Sequence, residues 1–272
     1  MSAGTPRSSR PASYDGIRAE RIGPVLKLTI DNPRSDLNVV DEQLHHELAL
    51  LMAELRRERD ARAILLTGSK RAFSAGGDFA WFEQLRDPGR LDALQSDARR
   101  IVTDLVDIEL PVVCAVNGPA VGLGASIALL CDVILIADTA HIADPHVRAG
   151  IVAGDGGAII WPLVLGPARA KQYLLTGDRV SAVEAERIGL VNRVVPAPDL
   201  DAEALAFAMR LAEGAPLALR YTKLAVNKLV KDALASAFDT STALELVTFL
   251  SQDHVEALTA MREKRPPRFE GR

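Results

Sequence analysis

Pro111-Val112-Val113-Cys114-Ala115-Val116-Asn117-Gly118-Pro119-Ala120-Val121-Gly122-Leu123-Gly124 runs from an apolar strand, through a turn, into a stretch of small residues. Proline is tolerated at the first position of a strand, and Asn-Gly-Pro stops one. The stretch 122–130 then reads as a helix able to pack closely on its neighbours. Strand, tight turn and close-packed helix together point to an α/β architecture.

The same alternation extends in both directions. Residues 24–30 place Leu26, Leu28 and Ile30 on one face and Lys27 and Thr29 on the other, a half-buried strand. Asp41 starts a helix whose Leu44, Leu48, Leu51 and Leu55 recur at helical spacing. A second strand, 63–67, is closed by Gly68. The loop Phe73-Ser74-Ala75-Gly76-Gly77-Asp78 follows, then a long polar and amphipathic helical region to about Glu109. Further strands are expected at 132–137 and 190–195, and the chain is almost wholly helical from Asp199. The expected organisation is a disordered Pro/Ser/Gly-rich tail at 1–15, an α/β core at 16–198 and a helical C-terminal subdomain at 199–272.

The 272 residues are 48% hydrophobic and 25% charged, enough for one sizeable core, and the formal charge of −4 gives no field for nucleic acid or an anionic membrane. Cys114 and Cys131 lie in apolar runs and read as buried reduced thiols. No apolar stretch approaches the roughly 18 residues of a membrane helix, and the polar N-terminus has no hydrophobic signal core. A cytoplasmic protein without a metal site is expected.

Taken in order, these segments resemble those of the enoyl-CoA hydratase/isomerase, or crotonase, superfamily. Asn32-Pro33-Arg34-Ser35-Asp36-Leu37-Asn38 is similar to the family segment lying against CoA, and 73–78 to its Phe-x-Ala-Gly-x-Asp loop. Residues 111–124 resemble its Pro-Val-…-Asn-Gly strand and turn. Leu175-Thr176-Gly177-Asp178, the stretch 182–195 and Glu263-Lys264-Arg265…Phe269 match its later motifs. The resemblance spans about residues 20 to 272. It implies a spiral of ββα units, a CoA thioester as substrate, no prosthetic group, a place in fatty acid metabolism and assembly as a trimer or hexamer, for which the Leu250 and Leu258 faces are suited.

By position, the resemblance puts an oxyanion hole at the N–H groups of Gly77 and Leu123. Such preorganised donors stabilise an enolate without reorganising as charge develops. Arg34, Leu37 and Lys264, with Arg265, fall in the regions that meet CoA, although solvated surface charge is an equal reading of the cations. The family's two catalytic glutamates are missing: Ser126 stands in one place and His146, after Pro145, in the other. Serine has no useful basicity near neutral pH, so hydration by the usual pair is not expected.

Pro145-His146, the turn Gly154-Asp155-Gly156 and Trp161-Pro162 resemble instead the 6-oxocamphor hydrolase branch, whose members cleave β-diketones by a retro-Claisen reaction without CoA. Asp155, expected at the start of a helix, would orient His146 as a base for water, or would serve only as an N-cap. His45 and Glu47, on the helix after Asp41, and Glu245, on a late helix, resemble further groups of that branch. His45 adjoins His46 on a charged helix, which equally fits a surface position. Asp78 is expected to brace its loop. Three readings stay open: an acyl-CoA enzyme with altered acid–base groups, a β-diketone hydrolase, and a non-catalytic binding member of the fold.

Overall fold

Leu26, Leu28 and Ile30 are almost wholly buried because their strand has a neighbour on each side. The computed structural model describes residues 14–272, so all but the last two positions of the expected tail lie outside the described residues. Strand β1 (Ile17–Ile22), not anticipated from the sequence, pairs antiparallel with β2 (Val25–Ile30). Its pattern is mostly polar because it forms the sheet's edge, and its charged side chains face water.

Asp41 caps α1 (Glu42–Leu55) by accepting from the Leu44 N–H. After β3 (Ala63–Gly68), the short α2 (Phe79–Phe82) and the long α3 (Pro88–Asp107) lead to β4 (Val112–Val116). Next come β5 (Ala120–Val121), α4 (Leu123–Leu129), β6 (Val133–Ala137) and β7 (His141–Ala143). The chain continues through α5 (Gly157–Leu165), α6 (Pro167–Thr176), β8 (Val180–Ser181), α7 (Ala182–Arg187) and β9 (Arg193–Val195). It ends in α8 (Leu200–Ala212), α9 (Pro216–Phe249) and α10 (Gln252–Glu263).

One sheet has the order β1-β2-β3-β4-β6-β9 and is parallel from β2 onward; a second, β5-β7-β8, stands beside it. This is the expected α/β arrangement of the crotonase fold. The last expected strand is shorter than 190–195: Leu190 and Val191 are buried in the turn before β9, where burial rather than extension explains their apolar character. The predicted helix at Asp155 begins two residues later, at Gly157, because Gly156 takes a φ of 121° that breaks helical geometry.

Ala204, Ala208 and Ala212 bury one face of α8 against the large sheet, while α9 and α10 pack over α3, α5 and the His146–Ala149 turn. Most of the core forms one cluster around the large sheet, with smaller clusters around Trp81 and around Phe238, and Trp161 is fully buried 5.8 Å from the Tyr173 ring. Trp161→Ala should cost about 3–5 kcal/mol of unfolding free energy. A urea titration followed by circular dichroism reads it; an unchanged midpoint would contradict this packing.

Candidate active site

The loops that follow β3 and β4 meet at the C-terminal ends of the parallel strands. Ser74 N–H donates to Pro119 O at 3.1 Å, and Val121 N–H returns a bond to Ser74 O at 2.9 Å. A third segment, 37–40, is stitched to the first: Ala75 N–H to Leu37 O, Val40 N–H to Gly76 O and Asp78 N–H to Val40 O. Asn38 organises this corner from a left-handed backbone (φ 48°), its buried amide donating to Ala72 O at 2.9 Å and accepting from Asn32 N–H at 3.0 Å.

Gly77 and Leu123 emerge from these pinned loops onto one cavity, which His45, His146, Asp155 and Glu245 also line. Among the described residues, neither the Gly77 nor the Leu123 N–H is consumed by a loop hydrogen bond. Glycine at 122 is favoured by its φ of 55°, and a Cβ there would press on the His146 ring at 3.3 Å. Asp78 caps α2 by accepting from Ala80 N–H, which holds the end of the Gly77 loop.

His146 lies just beyond β7, and its ring is gripped on both sides. Nδ1 bonds the carboxylate of Asp144, which is fully buried, while Nε2 lies 3.4 Å from Asp155 Oδ2 and 3.9 Å from Glu245 Oε1. Asp155 is held in turn by Ser126, whose Oγ donates to its Oδ1 at 3.1 Å. Ser126, expected from the resemblance to stand in a glutamate's place, thus supports Asp155. The cap position of α5 is Gly156, but the Asp155 carboxylate also accepts from the Gly157 N–H at the helix start, so it tends the helix end as well as facing His146.

Burial opposes charge on His146, but the Asp144 and Asp155 carboxylates outweigh it and hold the imidazole well above its ordinary pKa. Asp155 is pulled the other way: burial works against ionisation, and His146 with the Ser126 hydrogen bond overcomes it. Glu245, buried and facing Asp155, is pushed well above the usual carboxylate range. The arrangement thus favours the imidazolium form of His146 and the acid form of Glu245, each relative to its ordinary behaviour.

His45 is buried, against the surface alternative. Helix α1 turns it under Trp81, with ring centroids 5.2 Å apart, and burial pushes its pKa down to about 4, so it is neutral. His46, one residue on, points outward to Asp97. Glu47 does not enter the cavity; it accepts from Asp15 and Gly16 N–H groups at the start of β1. His254 is occupied structurally, its Nδ1 against Ala149 O.

Arg34, Leu37 and Lys264 do not line this cavity. Arg34 forms a forked pair with Asp41 and Leu37 is partly exposed. Lys264 ends α10 in a left-handed conformation, and Arg265 is paired with Glu256 and Glu263. The remaining walls are Val40, Trp81, Phe82, Leu94, Ala98 and Phe249, enclosing about 40 Å³, room for roughly a water or two. A larger hollow of about 750 Å³ beside α10 and the C-terminal segment is lined by Arg265 and Glu256 but by none of the cavity's residues.

Asp144 was missed by sequence reasoning. Its signal was present in Asp144-Pro145-His146, a carboxylate two residues from an imidazole, but only the turn after β7 brings the two together. Gly157 makes room for it: a Cβ there would lie 2.1 Å from Asp144 Oδ2. Gly157→Ala should therefore displace Asp144 and lower turnover by about a hundredfold, the usual cost of misplacing a catalytic group by about 1 Å. Full activity in a folded Gly157→Ala protein would contradict that geometry.

A spiral α/β fold with an acid–base cluster beneath two glycine-rich loops defines the class as a crotonase-fold enzyme. The sequence profile of the family described as Enoyl-CoA hydratase/isomerase matches residues 20–272, and the chain belongs to that family. A probable enoyl-CoA hydratase of Mycobacterium tuberculosis is 35% identical over 257 residues, covering 94% of this chain and 98% of that protein. An enoyl-CoA hydratase/isomerase from Mycobacterium paratuberculosis has a similar solved structure, with TM-score 0.87 and 39% identity over 91% of this chain and 99% of that one. A β-diketone hydrolase from the cyanobacterium Anabaena, bound to (S)-3-oxocyclohexyl acetic acid, gives TM-score 0.83 and 32% identity, covering 89% and 98%. Among the described residues, no helix is long and apolar enough to cross a membrane.

Proposed function

We propose that the protein hydrolyses a carbon–carbon bond of a 1,3-dicarbonyl compound by a retro-Claisen reaction. The observation that carries this reading is His146, bracketed by Asp144 and Asp155 and faced by Glu245, in a cavity with two unspent N–H groups. Neutral Nε2 takes a proton from water as its oxygen adds to one carbonyl carbon. The carbon–carbon bond then breaks, its electron pair forming an enolate received by the Gly77 and Leu123 N–H groups. Protonation of the enolate carbon by the His146 imidazolium or by Glu245 completes a carboxylic acid and a ketone. Neutral His45 and the Trp81 face supply a polar point and an apolar wall for the rest of the substrate. The cavity holds about 40 Å³, so a substrate of this class requires the Trp81–Phe82 wall to open.

The likeness to the β-diketone hydrolase supports this reading. The family's predominant names favour a second, in which the substrate is an acyl-CoA and the same N–H groups hold a thioester enolate. Arg34 and Lys264 would then meet CoA phosphates, with the Leu37 segment lying against the CoA. A β-ketoacyl-CoA would join the two, being itself a 1,3-dicarbonyl. The full set of titratable groups in the cavity argues against a merely binding member of the fold. The exposed Val226 and Leu229 on α9, near Leu163 and Val164, form an apolar face that a trimer or hexamer would cover.

The deciding experiment incubates the protein with cyclic 1,3-diketones, β-ketoacyl-CoAs and crotonyl-CoA in ¹⁸O-water and weighs the products. Carbon–carbon hydrolysis places one label in a new carboxylate. Hydration of crotonyl-CoA without cleavage of any dicarbonyl overturns the proposal. A melting-temperature shift with millimolar CoA or acetoacetyl-CoA supports the CoA arm, and no shift removes it.

A further inference from the structure

We propose that the indole N–H of Trp81 is a substrate-binding donor: it holds the carbonyl oxygen that water attacks, while the Gly77 and Leu123 N–H groups receive the other. That it binds a carbonyl stands on the geometry; which carbonyl it takes rests on the hydrolytic reading above.

Trp81 is 6% exposed and lines the cavity beside His45. Among the described residues, its Nε1 is buried with no hydrogen-bond partner. The side chains clustered with it, Leu85, Leu91, Ile151 and Phe249, are apolar and offer no acceptor. His45 lies against the indole with ring centroids 5.2 Å apart and takes no hydrogen bond from it. Buried donors are nearly always paired, because an unmade bond in a dry site is destabilising. Phenylalanine would supply the same apolar wall without that penalty. The acceptor therefore has to come from the cavity. Trp161 buries an unpaired N–H too, but in the main core and off this cavity, where a ligand cannot meet it.

Local structure ties Trp81 to the oxyanion hole. It stands four residues after Gly77 on the single turn α2, which Asp78 caps through Ala80 N–H and Phe82 N–H closes onto Asp78 O at 2.9 Å. One short segment thus carries a donor for each oxygen of a 1,3-dicarbonyl compound, Gly77 for one and Trp81 for the other. A substrate with a single carbonyl leaves one of them unpaired, which is how a buried donor selects its ligand. Because α2 belongs to the wall that opens, the indole bond forms as that wall closes over the substrate.

In the reaction, the oxygen of water bonds to the carbonyl carbon while His146 Nε2 takes the proton, and the carbonyl π pair moves onto the oxygen held by Trp81. That alkoxide re-forms a C=O as the carbon–carbon bond breaks, the bond's electron pair passing to the enolate at Gly77 and Leu123. A fixed donor at the alkoxide stabilises the state from which cleavage starts.

The test follows the two indole ¹H–¹⁵N signals of the full-length His146→Ala protein, in which slowed turnover leaves the dicarbonyl intact; adding Trp161→Phe assigns them. With millimolar 1,3-cyclohexanedione or acetoacetyl-CoA, the Trp81 indole proton should move downfield, as a newly bonded N–H does, while the Trp161 signal stays. An unmoved Trp81 signal with both probes, or equal movement of Trp161, overturns the donor. Trp81→Phe, shown to be folded by circular dichroism, should lower kcat about a hundredfold on the dicarbonyl that the wild type cleaves in ¹⁸O-water, the low end for losing one oxyanion donor. Wild-type kcat in that variant overturns the proposal and leaves the hydrolytic reading standing. If the Trp81 signal moves but the wild type cleaves no dicarbonyl, the donor stands and the hydrolytic reading falls. Should Trp81→Phe not fold, the indole signal alone decides.

Discussion

His146→Ala is expected to lower turnover on the true substrate at least about a hundredfold, the low end for losing a general base. Its ring is the point where three buried carboxyl groups meet, and no other imidazole touches both an orienting carboxylate and the cavity. Asp155→Asn should cost a similar factor, because the amide keeps the shape but removes the charge that faces Nε2 at 3.4 Å. The pH profile gives the sign. Below the raised pKa of His146 the ring is an imidazolium and cannot accept a proton, so the rate should climb as pH rises past 6.5 rather than level off below it. Asp155, held low, stays ionised throughout and adds no limb in that range. A rate already flat below pH 6.5, or wild-type turnover in either folded variant, would remove the pair from the mechanism.

Asp144→Asn is the sharper experiment. The analogous exchange in serine proteases leaves the geometry intact and lowers kcat by about 10⁴, because the imidazole is held in the wrong tautomer. Here a loss between about 10² and 10⁴ is expected. Removing this carboxylate also removes one of the charges that raise His146, so the rising limb of the profile should move to lower pH while the plateau falls. A purely structural role would lower stability or yield but leave the limb where it was. Asp144→Glu, which restores charge without the correct reach, should return the limb toward its original position with little of the rate.

The two predictions differ in how visible their residues were. His146 and Asp155 could be named because they interrupt an ordered run of family motifs at positions where carboxylates or uncharged residues are usual. Asp144 interrupts nothing: it follows a short strand, and an aspartate before a proline is ordinary turn chemistry. Its role exists only because β7 ends there and the turn folds His146 back over it. His45 shows the same limit from the opposite side. On a helix with charged neighbours its exposure depends on which way α1 is rotated, and that is set by packing of Leu44, Leu48 and Leu51 under the sheet. Glu47, read together with His45, lies half a turn further round and serves β1 instead.

By itself, the sequence determined the α/β fold and the two glycine-rich loops, because strand patterning and turn chemistry are local and Gly122 holds a positive-φ conformation that a side chain rarely adopts; the absent glutamate pair was legible only through the resemblance to the family. Tertiary structure alone decided that Ser126 supports Asp155, that Asp144 grips His146, and that Glu245 reaches the same cavity from a helix about ninety residues later. Those facts depend on how α9 lies over α5 and where β7 ends, and no period in the chain encodes the distance between side chains so far apart. The same packing sets the protonation balance, since burial and neighbouring charge, rather than residue type, push the Glu245 and His146 pKa values upward.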